Sequence, residues 1–313
     1  MKTPTIVFLD AASIGPDVSL EPIARLGAFT SYPVTRPDEV AARIAGADVV
    51  ITNKVRIFKA EIDAAPLLKL ICVAATGTDN VDRSYAQSKN IPVKNVAGYS
   101  TDSVAQVTFA HLLHLSTHLS YYNHYVHSGA YSQSPAATHL GPRFTELKGK
   151  RLGVIGMGNI GQKVAKIGAA FGMEVVYYAT SGVHHCKEFP CLRLEELLQT
   201  ADVVTIHAPL NDNTRNLIAM EQLRLMKPSA LILNMGRGGI VNEADLVKAI
   251  NEKMVAGAGV DVYSKEPISQ EHPFYGVVDQ QRLLLTPHIA WTSFEARCLL
   301  VEKIAENIHS FLT

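Results

Sequence analysis

The stretch "LGVIGMGNIGQKVAKIG", residues 152–168, decides how this chain folds. An apolar run typical of a β-strand leads into three glycines, and a helical pattern follows them. The first glycine of such a motif permits a tight turn, the second lets backbone approach a pyrophosphate, and the third lets the helix pack on the strand. The helix N-terminus then offers unpaired amides to the phosphates. The motif therefore predicts a dinucleotide site that includes Gly156, Gly158, Asn159, Ile160 and Gly161.

The next strand pattern, "EVVYYATSG", ends without the acid that usually follows it. Ala179 and Thr180 stand where a carboxylate would bind the adenosine ribose, and no acid follows until Glu188. Such a carboxylate favours NAD because it repels the 2′-phosphate of NADP. The sequence therefore predicts a nicotinamide dinucleotide, with NAD expected and NADP left open. The neighbouring residues that can add positive charge are His184, His185 and Lys187.

Composition excludes several classes of protein. The 313 residues carry 29 basic and 29 acidic side chains, so no excess of positive charge favours nucleic acid. The N-terminus "MKTPTIVFLD" is too short in apolar residues for a signal peptide, and no run is long enough to span a membrane. The four cysteines show no CxxC spacing. We therefore expect a cytoplasmic protein that binds neither membranes nor nucleic acids.

Short apolar runs alternate with helical patterns along the chain, which is typical of an α/β fold with parallel strands. The strands that we predict are 5–9, 48–52, 68–74, 91–96, 151–156, 174–179, 202–208, 230–236, 257–263 and 283–288. Helical patterns cover 37–46, 101–118 and 292–312, whereas 120–144 is an aromatic-rich connection too long for a simple turn.

Three residues that follow strands of the second series could carry a hydride transfer. Arg237, in "NMGRGGIV", has the planar fork that fits a carboxylate. His288, in "TPHIAW", can give and take a proton near neutral pH. Glu266, in "YSKEP", is a carboxylate able to orient that imidazole and favour its charged form. Since all three follow strands of the series that carries the glycine motif, we expect them at the sheet edge where ligands bind.

Four ordered motifs of the chain resemble those of a known family. "GMGNIG", "NMGRGGIVNEADL", "GAGVDVYSKEP" and "TPHIAW", in this order, are similar to the D-isomer-specific 2-hydroxyacid dehydrogenases. In the N-terminal half, "TNKV", "AATGTDNVD" and "NVAGYSTDSVAQ" resemble most closely the glycerate dehydrogenases, also called hydroxypyruvate reductases. The resemblance implies hydride transfer between NAD(P)H and a small 2-keto or 2-hydroxy acid, most readily hydroxypyruvate and D-glycerate.

The resemblance also assigns residues. It makes Arg237, Glu266 and His288 the catalytic set, and Asp261 the contact of the nicotinamide carboxamide. Thr76 and Gly77 match the backbone amides that hold the substrate carboxylate, and Lys54 would lie near the substrate, although a solvated surface lysine is an equal alternative. The cofactor positions implied in addition to the glycine motif are Ala179, Thr180, His207, Pro209, Thr214, Met235, Gly236, Asp261 and His288.

The family fold implies a Rossmann-type nucleotide-binding domain, residues 101–287, inserted into a flavodoxin-like substrate domain, residues 1–100 and 288–313. Members are commonly homodimers, which would give the 120–144 connection a partner chain to contact. Two classes of alternative stay open: another enzyme of the family (lactate-, phosphoglycerate- or phosphite-type), or a dinucleotide-sensing corepressor on the same fold.

A histidine array raises the question of a metal. His111, His114 and His118 fall at helical spacing, but no HExxH pattern or cysteine pair accompanies them. We therefore expect an ordinary helix face and no metal.

Overall fold

The computed structural model of the protein describes residues 3–184 and 186–313. These residues form two compact units, one of residues 1–100 with 292–313 and one of residues 101–291. We predicted that the chain returns to the first unit at residue 288, whereas residues 288–291 belong to the second unit. The reason is local, because the Asp261 carboxylate accepts the amide protons of Ile289 and Ala290.

The strands are β1 (Thr5–Phe8), β2 (Ala28–Ser31), β3 (Val49–Thr52), β4 (Leu70–Val73), β5 (Val93–Asn95), β6 (Arg151–Ile155), β7 (Glu174–Tyr178), β8 (Val203–Ile206), β9 (Leu231–Asn234), β10 (Gly257–Val260) and β11 (Leu283–Leu285). The helices are α1 (Glu21–Ala24), α2 (Val40–Ile44), α3 (Lys59–Asp63), α4 (Arg83–Ser88), α5 (Thr101–Thr117), α6 (Leu119–His127), α7 (Asn159–Ala170), α8 (Leu194–Thr200), α9 (Met220–Leu225), α10 (Glu243–Asn251) and α11 (Phe294–Leu312).

The first unit is built on a parallel sheet with the strand order β2-β1-β3-β4-β5. This is the flavodoxin-like order, as predicted. The central strands β3 and β4 are buried along their whole length, which explains why all their residues but Thr52 are apolar. The final helix α11 packs against β4 and α1 of the same unit.

The second unit is built on a parallel sheet with the order β11-β10-β9-β8-β6-β7. A single bridge between Tyr177 and Cys191 adds a rudimentary strand outside β7, which completes the Rossmann-type order. A hydrophobic core lies on each face of this sheet, and successive residues of a strand point to opposite faces. Val154 packs with α5 and α7 on one face, and Ile155 packs with α8–α10 on the other. The predicted α/β fold class is confirmed.

Two segments differ from the sequence predictions. The edge strand β2 was not predicted, because three of its four residues are exposed and carry no apolar run. Part of the 120–144 connection is helical, as α6, although no residue of α6 is buried in this chain. No helix of the described residues is long and apolar enough to cross a membrane.

Candidate active site

The glycine motif forms the turn between β6 and α7. Gly156 has a φ of +91°, a left-handed conformation that glycine adopts without strain. A Cβ on Gly161 would overlap the carbonyl oxygen of Gly156, so this position needs glycine for the helix to approach the strand. A Cβ on Gly158 would meet no atom within 4 Å, which leaves open space in front of the helix.

The N-terminus of α7 fits the phosphates of a dinucleotide. Gly158 is the N-cap residue, and glycine has no side chain that could cap the first turn of the helix. The amides of that turn therefore remain available to an anion, and the dipole of a twelve-residue helix favours negative charge there.

The segment after β7 carries the predicted adenosine contacts. Ala179 and Thr180 are half-buried directly after the strand, and His184 and Lys187 are exposed further along. His185, which we also considered as a positive charge, lies outside the described residues. No acid stands between Ala179 and Lys187, so the local charge of this segment does not repel a 2′-phosphate.

His207, Pro209 and Thr214 lie in the loop that follows β8. The Thr214 hydroxyl donates to the Pro209 carbonyl at 2.7 Å and accepts from the Asn211 amide at 2.8 Å, so this fully buried residue fixes the shape of the loop. His207 pairs through Nε2 with Thr205 Oγ1 at 2.9 Å. Burial lowers the pKa of His207 to about 3, which keeps its ring uncharged at neutral pH.

Arg237 lies in a tight turn after β9 that also contains Met235 and Gly236. The turn is shaped by Asn234, the last residue of the strand, which is buried and was not predicted as a site residue. Asn234 Nδ2 donates to the Arg237 carbonyl at 3.0 Å, and its Oδ1 accepts from the Gly236 amide at 3.2 Å. Arg237 Nη1 donates to the Gly236 carbonyl at 2.9 Å. An asparagine that ends an apolar strand just before such a turn is the signal that could have identified it.

Glu266 and His288 form a close pair. His288 Nδ1 lies 2.6 Å from Glu266 Oε2, and both side chains are partly shielded from solvent. This contact uses Nδ1 and leaves Nε2 as the ring atom able to exchange a proton with a ligand. His288 has a φ of +55°, a left-handed conformation that is uncommon outside glycine, so its backbone depends on neighbouring contacts.

Tyr263 contacts the segments that carry Arg237, Glu266 and His288. Its amide donates to Glu266 Oε1 at 3.0 Å and its hydroxyl donates to the Thr286 carbonyl at 2.9 Å. A Cβ on Gly238, the residue after Arg237, would overlap the Tyr263 carbonyl, so the arginine turn packs directly against this tyrosine. Burial, with the nearby carboxylates of Asp261 and Glu266, raises the pKa of Tyr263 to about 12, so its hydroxyl remains a donor. Tyr263 was not predicted from the sequence.

Asp261 is buried at the end of β10. Its carboxylate accepts hydrogen bonds from Thr286 Oγ1 at 2.6 Å, from the Ile289 amide at 2.8 Å and from the Ala290 amide at 2.9 Å. Burial raises the pKa of Asp261, and these hydrogen bonds oppose that rise. Asp261 therefore holds the segment that carries His288.

Lys54, Thr76 and Gly77 belong to the first unit, in which they follow the neighbouring strands β3 and β4. The buried Asp10 carboxylate accepts from the amides of Asn53 at 2.8 Å, Lys54 at 2.6 Å and Val55 at 3.1 Å. This arrangement fixes the backbone of Lys54, whose side chain is exposed. Thr76 is exposed, and its hydroxyl donates to the Val96 carbonyl at 3.1 Å.

His111, His114 and His118 do not form a cluster. His111 is buried and contacts Thr286, whereas His114 contacts Ser120 and His118 separates α5 from α6. Across residues 3–184 and 186–313, no group of three or more His, Cys, Asp or Glu side chains could hold a metal ion.

Comparison with known proteins identifies the family. The model of the "D-isomer specific 2-hydroxyacid dehydrogenase, NAD binding domain" matches residues 109–290, more than half of the chain. A hydroxypyruvate reductase of Blautia hydrogenotrophica is 36% identical over 98% of this chain and 96% of its own length. A glycerate dehydrogenase of Methylorubrum extorquens is 33% identical over 99% of this chain and 96% of its own length.

A solved structure has the same fold over nearly the whole chain. The acyclic imino acid reductase Bsp5, in complex with NADPH and D-Arg, superimposes with a TM-score of 0.86 at 27% identity, covering 98% of this chain and 97% of that one. The resemblance inferred from the sequence motifs is thereby confirmed. The chain belongs to the D-isomer specific 2-hydroxyacid dehydrogenase family and is an NAD(P)-dependent oxidoreductase.

Proposed function

We propose that the protein reduces hydroxypyruvate to D-glycerate with NAD(P)H. The observation that carries this proposal is the 2.6 Å contact between His288 Nδ1 and Glu266 Oε2, at the edge of the sheet that holds the glycine turn. The names of the two curated relatives, a hydroxypyruvate reductase and a glycerate dehydrogenase, support the substrate.

In the proposed reaction each residue has one role. When bound, the reduced cofactor supplies the hydride that reaches the carbonyl carbon of the keto acid. His288, charged and held by Glu266, gives the proton on Nε2 to the carbonyl oxygen. Arg237 binds the substrate carboxylate and polarises the carbonyl group. Glu266 orients the imidazole through its contact with Nδ1.

Residues of the first unit complete the proposal. The amides of Thr76 and Gly77 bind the substrate carboxylate, since consecutive amides form anion-binding turns. The ammonium of Lys54 adds a positive charge for the same anion.

Cofactor use follows from the segment after β7. Because no carboxylate stands between Ala179 and Lys187, we expect the enzyme to accept NADPH as well as NADH. The phosphates of either cofactor bind at the start of α7.

A second copy of the chain is the proposed partner. The surface of α6 and the following segment exposes Leu119 by 54%, Val126 by 56% and Leu140 by 91%. Large apolar side chains that a single chain leaves exposed support an interaction surface in this segment. We expect a homodimer by light scattering, and Leu140→Asp should weaken it whereas Val278→Asp, an equally exposed position elsewhere, should not. A parent protein that is monomeric at micromolar concentration would contradict this proposal.

We also place the enzyme in the cytoplasm, in keeping with its four unpaired cysteines.

The test of the reaction is a steady-state comparison of hydroxypyruvate, glyoxylate and pyruvate, each with NADH and NADPH. Hydroxypyruvate should give the highest kcat/KM, and His288→Ala should lower kcat by about a hundredfold to ten-thousandfold while cofactor binding persists. His309→Ala, an exposed histidine of the first unit, is the matched control. A loss of less than tenfold in His288→Ala would remove the proposed role. Binding of NADH without turnover of any acceptor would favour a dinucleotide-sensing protein instead.

A further inference from the structure

The segment that carries His288 is held in place by hydrogen bonds to Asp261, the residue that follows β10. Asp261 binds the amides of Ile289 and Ala290 and the hydroxyl of Thr286, so one carboxylate fixes both flanks of His288. Since His288 has a left-handed backbone, this anchoring decides where its ring points. Any group that strengthens the Asp261 contacts therefore acts on His288.

His111 of α5 is such a group. It is 2% exposed, and its Nε2 lies 3.2 Å from Thr286 Oγ1. The Thr286 hydroxyl has a single proton, and at 2.6 Å that proton belongs to the Asp261 carboxylate. His111 must consequently be the donor, with its proton on Nε2 and its lone pair on Nδ1.

Packing alone does not explain a histidine at this position. In the described chain His111 Nδ1 is buried without a hydrogen-bond partner, and a buried unsatisfied acceptor is unfavourable. Most buried positions of α5 are apolar, such as Val104 and Leu112, and a leucine at 111 would carry no such penalty. What histidine provides, and leucine does not, is the hydrogen bond to Thr286.

We propose that His111 is a positioning residue for His288, acting through Thr286 and Asp261. The His111 donor orients the Thr286 hydroxyl so that its proton points at Asp261, and Asp261 then holds the amides on the far side of His288. This inference rests on the catalytic role proposed for His288. It adds a residue of α5, 177 positions away in the sequence, to the machinery of the site.

Three substitutions of His111 separate this role from packing. His111→Leu removes the donor and should lower kcat by about threefold to tenfold, the equivalent of one hydrogen bond, with the KM for hydroxypyruvate changed less than twofold. His111→Gln places an amide donor where Nε2 stood and should restore kcat to within twofold. His111→Asn is polar but too short to reach Thr286, and should behave like His111→Leu.

The matched control is Thr108→Val on the same helix. Thr108 is equally buried, and its hydroxyl donates only to the Val104 carbonyl of its own helix, at 2.7 Å. Its loss should leave kcat unchanged. A double-mutant cycle adds Thr286→Val: if the two residues act in series, His111→Leu should have almost no further effect in that background.

A second readout does not depend on turnover. Trp291 is the only tryptophan of the chain and directly follows Ala290, which Asp261 anchors. In His111→Leu without ligand, the Trp291 emission should shift and acrylamide quenching should increase, and His111→Gln should return both to parent values. Unchanged fluorescence together with parent kcat in His111→Leu would overturn the proposal, as would equal impairment of the Gln and Leu variants. If His288→Ala retained activity, the proposed function would fail while the fluorescence arm still tested the link from His111 to the segment.

Discussion

Lowering the pH from 7 to 5 should destabilise the second unit through His111. Burial, assisted by the neighbouring His114, lowers the pKa of His111 from 6.5 to about 4. The folded protein therefore keeps this ring neutral until the pH approaches 4, whereas the unfolded chain takes up a proton near pH 6.5. Within this window the unfolded state binds more protons, so the free energy of unfolding falls as the pH falls.

The size of the effect follows from the two pKa values. At pH 5 an unfolded histidine lies about 1.5 pH units below its own pKa, and each unit is worth about 1.4 kcal/mol. His111 should thus account for about 2 kcal/mol of lost stability between pH 7 and pH 5. His207 contributes in the same direction, because its pKa is lowered to about 3. Asp261 opposes both, since its pKa is raised.

The assay compares variants so that these other groups cancel. Guanidinium unfolding is followed at both pH values by the fluorescence of Trp291, which lies in the second unit. The parent and Thr108→Val should lose about 2 kcal/mol more than His111→Leu on acidification. Equal losses in the parent and His111→Leu would show that the buried ring is not held neutral and would refute the reasoning.

Three further predictions concern the site. Glu266→Gln should lower kcat for keto-acid reduction by about tenfold to a hundredfold, because a charge-assisted hydrogen bond is lost. A kcat within about twofold of the parent value would make Glu266 purely structural. Ala179→Asp should lower kcat/KM with NADPH more than with NADH, since the new carboxylate repels the 2′-phosphate; an equal effect on both would place the ribose elsewhere. EDTA should leave turnover unchanged, and activity restored only by added zinc would contradict a reaction without metal.

Much of the fold could be predicted from local sequence. The buried strands β3, β4 and β6 consist mostly of apolar residues. The glycine turn before α7 is specified by residues within one motif. Each of these elements depends on neighbours that are close in the chain. The edge strand β2 could not be predicted, because its exposed residues carry no hydrophobic signal. The helix α6 was missed for a similar reason, since its apolar side chains are not buried within this chain.

The candidate site also contains residues that the sequence could predict and residues that it could not. Arg237, Glu266 and His288 could be selected because reactive side chains after strands of one series share a sheet edge. The residues that orient them were not selected. Tyr263, Thr286 and His111 act through contacts between distant segments, and an isolated tyrosine, threonine or histidine in the sequence does not indicate such contacts. The role of Asn234 is local, and attention to polar residues at strand ends would have found it.

The rudimentary strand beside β7 has a practical consequence for redesign. The Tyr177 amide donates to the Pro190 carbonyl at 2.9 Å, and the Leu192 amide donates to the Tyr177 carbonyl at 2.8 Å. The chain thus leaves β7 and returns to it one residue from where it left. These two hydrogen bonds hold the returning end of the segment next to β7. We therefore expect that substitutions at the exposed positions His184 and Lys187 can change coenzyme choice without disturbing the sheet.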